Sequence, residues 1–438
     1  MLRHLAPLIA PLALRDRPQP SPAQMAAQQT RDLGRIARAL TPLPVGKRFG
    51  LDRIAAGAGV AALRALPVTR YDDYAELFAR VARGERDVLF PGAATALAQT
   101  SGTTSDRAAG ERFIPQSAAL LDHHAAGAKR AFARLLAAIG GGVLRGQQLM
   151  LGGSTSLAPN AHGIPSGDLS GITVARIPSW LLPLYEPGRE IALESDWPRK
   201  IARITERCAT RDVRMASGIP SWLIMLFDAI AKARGVARIA EAWPHLRGLV
   251  HGGHAIGPFL PQLRAHLDPA LRAIEVYPAS EAFIAIGARA WALSDAREPP
   301  LEVLTGIGVV TEFLPEDGGD AVGPEGLVEG KVYRVLLTTP GGLVRYELGD
   351  LVLGCGPGCC RVAGRVKTRI SVFGEHVEGV FLADAIGAAA TATGAQVAHY
   401  HVAPVLPVPG EPRGAHEWWV EFATAPAEAD AGDRKSVV

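Results

Sequence analysis

Residues 246–281 read LRGLVHGGHAIGPFLPQLRAHLDPALRAIEVYPASE. Two apolar runs in this stretch, Leu246–His251 and Ala273–Tyr277, have the texture of short buried strands. An Arg- and Leu-bearing helical segment lies between them. Strand, helix and strand in one short stretch make the repeating unit of an α/β core with a mostly parallel sheet. The alternation extends upstream. Gln148–Gly152 and Ile172–Ile177 read as buried strands, and Lys200–Thr210 and Ser221–Arg234 as helices. Earlier still come three helices. Residues 22–40 follow the cap Ser21 and Pro22, Val68–Gly84 has Thr69 as cap and Gly84 as stop, and Ala118–Leu136 runs into the Gly140–Gly142 break. From Leu301 onward the period shifts to strands, at Thr311–Leu314, Val328–Thr338 and Leu343–Tyr346. This predicts an antiparallel or barrel-like annex.

The chain has 438 residues, of which 48% are hydrophobic and 20% charged, so it can bury a large core and is not disordered. Lys and Arg number 46 against 43 Asp and Glu, a net charge of +3, which argues against a nucleic-acid partner. No run approaches the roughly 18 apolar residues that span a bilayer. Four cysteines in so long a chain make no disulfide framework and suit a cytoplasmic protein. Only seven of the basic residues are lysine. Ala, Arg, Gly and Pro, all with GC-rich codons, dominate, as in a bacterial gene. Met1–Leu14 is broken by two prolines and lacks a cleavage site, so it reads as a segment packed on the body and not as a secretory signal.

Three motifs carry chemistry. Gln99–Ser105 (QTSGTTS) places Thr100, Ser101, Gly102, Thr103 and Thr104 in a turn of small residues after an apolar run. Its amides and hydroxyls can form a nest for a polyphosphate, although no Walker loop is present. Tyr277-Pro278-Ala279-Ser280-Glu281 puts an aromatic at a strand end, with a hydroxyl and a carboxylate just beyond to reach a phosphate and its Mg²⁺. Arg345–Asp350 (RYELGD), followed by Gly364-Arg365, offers a carboxylate for ribose hydroxyls and a guanidinium for phosphate or ribose oxygens. Singly, each has a plain alternative: a solvated loop, a Tyr-Pro turn, a turn aspartate with a surface arginine. Other constellations fail. His123-His124 lacks the Asp of an acyltransferase motif, and His251-Gly252-Gly253 has no G-x-S-x-G partner. Cys355, Cys359 and Cys360 match no structural zinc spacing.

In this order and spacing the three motifs resemble those of the adenylate-forming superfamily, and most closely the Gretchen Hagen 3 family of auxin-responsive acyl-acid amido synthetases and their bacterial relatives. The resemblance runs from about residue 40 to 425. It is carried by PVTRYDDY at 67–74, QTSGTTSDR at 99–107, FIP at 113–115, YPASEAF at 277–283, LTTPGGLVRY at 337–346 and FGEHV at 373–377. It implies a large N-terminal ATP- and acyl-binding domain over residues 1–365, with mostly parallel sheets and a β-rich annex. A small α+β domain over 366–438 would follow. It implies a monomeric ligase that activates a small carboxylic acid with ATP and Mg²⁺ and passes the acyl group to an amine such as an amino acid. An acyl-CoA ligase, or a nucleotide-binding protein without turnover, is the alternative.

Carried over residue by residue, Thr100, Ser101, Gly102, Thr103 and Thr104 would hold phosphates. Tyr277 would stack on adenine, with Gly252 and Gly253 giving backbone room. Ser280 would touch the α-phosphate, Glu281 would hold the metal, Asp350 would bind ribose and Arg365 would assist. The acid pocket is only faintly legible, at Gly152–Thr155 and Ser217–Trp222. The family carries a lysine near its end, and this chain offers only Lys367 and Lys435 after the hinge expected at 365–367. The tail Asp433–Val438 back-translates to the start of a common sequencing adapter, so the expectation is a truncated C-terminal domain whose last six or so residues are not biological.

Overall fold

The computed structural model describes residues 15–100, 112–153, 157–366, 377, 379–405 and 415–426. Its core is a twelve-stranded mixed sheet. One half is parallel, in the spatial order Tyr185–Glu186, Gln147–Leu151, Val213–Gly218, Gly248–Gly252 and Arg272–Pro278. The other half is antiparallel, continuing through Phe283–Gly287, Leu301–Val303, Cys359–Arg365, Tyr346–Gly354, Val332–Thr338 and Val310–Pro315. The β-rich annex is thus the same sheet carried on, and it starts at Phe283 rather than at Leu301.

Helices Trp197–Cys208 and Pro220–Arg234 cover the parallel half, burying Ile204, Leu223 and Phe227 in one core with Leu249 and with Trp243 from the segment that follows. Trp243 Nε1 donates to the Cys208 carbonyl at 3.0 Å, which satisfies its one polar atom inside the core. Helix Pro22–Leu40 starts at the expected cap. Ser21 accepts from Gln24 N–H, and the Gln24 side chain returns to Ser21 N–H. Helix Ala118–Ile139 is capped by Ser117 and ends at Gly140. A smaller four-stranded sheet pairs Ala96–Gln99 with Phe113–Gln116 and Pro165–Gly167.

Three local expectations are corrected. Ile172–Ile177, rich in β-branched residues, is mostly helical: the helix is Leu169–Ala175, because Asp168 caps it by accepting from Gly171 N–H. Thr69 caps no helix. It is buried, its hydroxyl donates to the Val344 carbonyl at 2.7 Å, and the helix begins only at Ala75 after a 3₁₀ turn. Leu343–Arg345 are irregular chain ahead of the strand, with Arg345 at φ +46°, and the strand runs from Tyr346 to Gly354.

Beyond Arg365, helix Gly379–Thr393 packs Val380 on Leu351 and Ala363, and Asp384 pairs with Arg361 at 3.2 Å. A hairpin of Gln396–Val405 and Ala415–Thr424 follows. All four cysteines are free thiols. Among the described residues no helix is long and apolar enough to cross a membrane.

Candidate active site

Parallel strands share a direction, so Gln147–Leu151, Val213–Gly218, Gly248–Gly252 and Arg272–Pro278 deliver their carboxyl ends to one edge of the sheet. Open α/β sheets bind ligands at that edge. It collects Gly152-Gly153, Ser217-Gly218, Gly252-Gly253 and the Tyr277–Glu281 motif. There the chain reverses. Phe283 pairs back on Pro278, and Ala279 N–H donates to the Ala282 carbonyl at 2.8 Å. Ser280 and Glu281 are therefore the two central residues of a tight hairpin turn, at the point where the sheet changes from parallel to antiparallel.

Glu281 is buried, and burial pushes its carboxyl up to about 7; the neighbouring Asp350 charge adds to the rise and Arg365 opposes it. Among the described residues no ion pair neutralises it. A buried carboxylate with no ion-pair partner among the described residues suits a divalent cation brought in by a polyphosphate, since Mg²⁺ takes one or two carboxylates plus phosphate oxygens. No cluster of three metal-ligating side chains occurs among the described residues.

Asp350 lies within the nine-residue strand Tyr346–Gly354, not in a turn beyond a strand end. The strand kinks there. Gly349 has φ +85°, which a side chain tolerates poorly, and the pairing register shifts between Leu351 and Val352. Asp350 pairs across the ladder with Arg365, and Arg365 Nε stands 2.9 Å from Asp350 Oδ1. Its other oxygen, Oδ2, accepts from the Tyr277 hydroxyl at 2.6 Å. Burial raises the Asp350 carboxyl, while Arg365 and Tyr277 pull it back. The fold thus brings Tyr277, Glu281, Asp350 and Arg365 together.

Tyr277 is 8% exposed and packs with Ala282, Ile284 and Leu301. A base can stack on its ring only if neighbouring side chains give way. Gly252 has a reason internal to the sheet: a Cβ there would lie 2.3 Å from the Val276 carbonyl oxygen on the adjacent strand. Gly253, at φ +83°, turns the chain at the same edge. Thr100 closes the base of the phosphate motif, its N–H donating to the Arg112 carbonyl at 3.0 Å. Ser101, Gly102, Thr103 and Thr104 lie outside the described residues.

Two other residues at this edge carry no mark in the sequence pattern. Gln116 Nε2 donates to the Ser280 carbonyl at 2.9 Å. Lys200, fully buried, donates to the Ala192 carbonyl at 2.7 Å and also to Gly153. A lysine within an amphipathic helix carries no mark of burial, although its place in the first turn after the Asp196 cap is readable.

The model of the GH3 family N-terminal domain matches residues 25–192, and that of the GH3 family central domain matches 303–356, together just over half of the chain. No curated protein matches the chain by sequence. Among solved structures, AtGH3.15 acyl acid amido synthetase in complex with 2,4-DB is similar with a TM-score of 0.70 and 16% identity, over 97% of this chain and 81% of that one. A 2-hydroxyisobutyryl-CoA ligase in the postadenylation state, in complex with 2-HIB-AMP, is similar with a TM-score of 0.60 and 14% identity, over 94% and 80%. The mixed α/β fold is that of adenylate-forming enzymes. With both its N-terminal and its central portions matched, the chain belongs to the GH3 family.

Proposed function

We propose that this protein is an ATP-dependent ligase that converts a small carboxylic acid into an acyl-adenylate and then joins the acyl group to an amine, such as an amino acid. The observation that carries this reading is the meeting of two distant motifs: Tyr277 and Glu281 on one hairpin face Asp350 and Arg365 on another strand pair. No side-chain nucleophile is required. An oxygen of the substrate carboxylate attacks the α-phosphorus, the bond to pyrophosphate breaks, and the adenylate forms. The amine nitrogen then attacks the acyl carbon, AMP leaves, and the amine loses a proton.

This chemistry asks for charge neutralisation at phosphorus. Ser101, Gly102, Thr103 and Thr104, closed off by Thr100, would hold phosphate oxygens. Ser280 would meet the α-phosphate and Glu281 would hold Mg²⁺, whose charge offsets that of the phosphates. Asp350 would accept from ribose hydroxyls, with Tyr277 and Arg365 fixing its two oxygens. Tyr277 would border the adenine, and the Gly252-Gly253 turn would flank it. Residues 366–438 form, in this reading, a smaller domain hinged near Arg365. The free cysteines and near-neutral charge suit a cytoplasmic protein.

An acyl-CoA ligase shares the first half-reaction, and the family match favours the amine. A screen of carboxylic acids for ATP–pyrophosphate exchange tests the first step. AMP release that then depends on an amine, and not on CoA, tests the second.

A further inference from the structure

The strand Phe113–Gln116 closes the hairpin that carries the phosphate motif and leads through the cap Ser117 into helix Ala118–Ile139. This helix lies against the Tyr277–Phe283 segment so closely that a Cβ at Gly127 would stand 2.4 Å from the Phe283 ring. Two of its neighbouring side chains make polar contacts with that segment. Gln116, wholly buried, holds the Ser280 carbonyl. His123, 3% exposed, accepts the Phe283 N–H on Nε2 at 2.9 Å. That bond puts the ring proton on Nδ1, which donates to the Ile307 carbonyl at 2.9 Å.

We propose that His123 is a positioning residue for Glu281, fixing with Gln116 the main chain on both sides of Glu281. Ser280 and Phe283 bracket Glu281, and each is held by a side chain from one continuous strand–helix unit. The same unit is paired with Ala96–Gln99, the strand that leads up to Thr100. The ring works as a neutral imidazole with one donor and one acceptor, and burial keeps its pKa below the usual histidine range. A leucine would fill much the same space without either bond. The inference rests on the metal-holding role proposed for Glu281.

The test is Mn²⁺ titrated into the protein–ATP complex and followed by EPR, alongside ATP–pyrophosphate exchange measured against Mg²⁺ concentration. Misplacement of a catalytic group by about 1 Å can cost on the order of 100-fold. His123→Leu is therefore expected to weaken Mn²⁺ binding and raise half-saturating Mg²⁺ by about tenfold or more, with half-saturating acid within about twofold of wild type. His123→Gln, whose amide supplies one donor and one acceptor, should recover most of the loss. Gln116→Met should shift the metal constants in the same direction, and it decides the matter if His123→Leu does not fold.

Metal constants within about twofold of wild type in both His123→Leu and Gln116→Met overturn the inference, as does a His123→Gln variant no better than His123→Leu. Normal Mn²⁺ affinity in Glu281→Gln overturns the role of Glu281 and the inference with it. Loss of affinity in Glu281→Gln, with none in the other two, overturns the inference alone.

Discussion

The Tyr277 hydroxyl donates to Asp350 Oδ2 at 2.6 Å, joining two motifs separated by 73 residues of chain. Because Arg365 holds the other oxygen at 2.9 Å, the Asp350 carboxylate is fixed in rotation and aimed before any nucleotide arrives. Such fixing removes an entropy cost from ligand binding.

If Asp350 accepts the ribose hydroxyls, each charge-assisted bond contributes about 1.5–3 kcal/mol. Asp350→Ala should then weaken ATP binding strongly and 2′,3′-dideoxy-ATP much less. Tyr277→Phe, which keeps the ring and loses only the donor, should weaken ATP by about tenfold, the scale of one hydrogen bond. Calorimetric titration with both nucleotides checks this. Equal losses for ATP and the dideoxy analogue in Asp350→Ala would exclude the ribose role.

Glu281 carries a pH signature. Its folded pKa of about 7 lies above the ordinary value of 4.5, so the folded state holds the proton more tightly than the unfolded one. Stability should therefore fall as pH rises from about 4.5 to 7 and level off above that, with a cost of about 3 kcal/mol at alkaline pH. Glu281→Gln should melt higher than wild type at pH 8, differ little at pH 4, and lose metal-dependent exchange. Mg²⁺ should restore stability at pH 8 only in wild type with ATP present. Melting curves across this range decide it, and a Glu281→Gln curve parallel to wild type would show that the carboxyl is not perturbed.

Arg345 opens the RYELGD motif, yet its side chain serves the fold. It is buried, its Nε lies 3.2 Å from Glu312 Oε2, and Nη1 donates to the Arg64 carbonyl at 2.8 Å. Arg345→Met leaves the buried Glu312 with only the Arg64 guanidinium, 3.9 Å away, and should cost about 1–3 kcal/mol. The double variant Arg345→Met with Glu312→Leu should regain most of that in urea unfolding.

Gly252→Ala separates sheet packing from nucleotide approach. The added methyl meets the Val276 carbonyl oxygen at 2.3 Å, so the strand pair must part. The expected loss is about 1–3 kcal/mol, the range for overpacking, with or without ATP. Unchanged apo stability with weakened ATP binding would instead place the glycine against the nucleotide.

Three strands of the parallel half, Gln147–Leu151, Gly248–Gly252 and Arg272–Pro278, are legible as apolar runs beside amphipathic helices, whereas Val213–Gly218, interrupted by Arg214 and Ser217, is not. The cap at Ser21 and the break at Gly140 were legible because their chemistry is local. Ile172–Ile177 misled because β-branched residues suggest strand, whereas the cap at Asp168 decided the outcome. Asp350 was identified as a motif residue but misplaced, since a glycine before an aspartate looks the same in a turn and in a kinked strand. The Tyr277–Asp350 bond and the hold of Gln116 on Ser280 were out of reach, because each depends on strand order that local pattern does not encode.

In the proposed reaction a substrate carboxylate attacks the α-phosphorus of ATP in this site. A carboxylic acid that supports exchange, labelled with oxygen-18 in both oxygens, tests it most directly when incubated with ATP, Mg²⁺ and an amine. Attack on α-phosphorus leaves one oxygen-18 atom in AMP and one in the amide, and mass spectrometry of both products should show this in wild type and not in Glu281→Ala. Unlabelled AMP, or label appearing in inorganic phosphate beside ADP, would contradict the account.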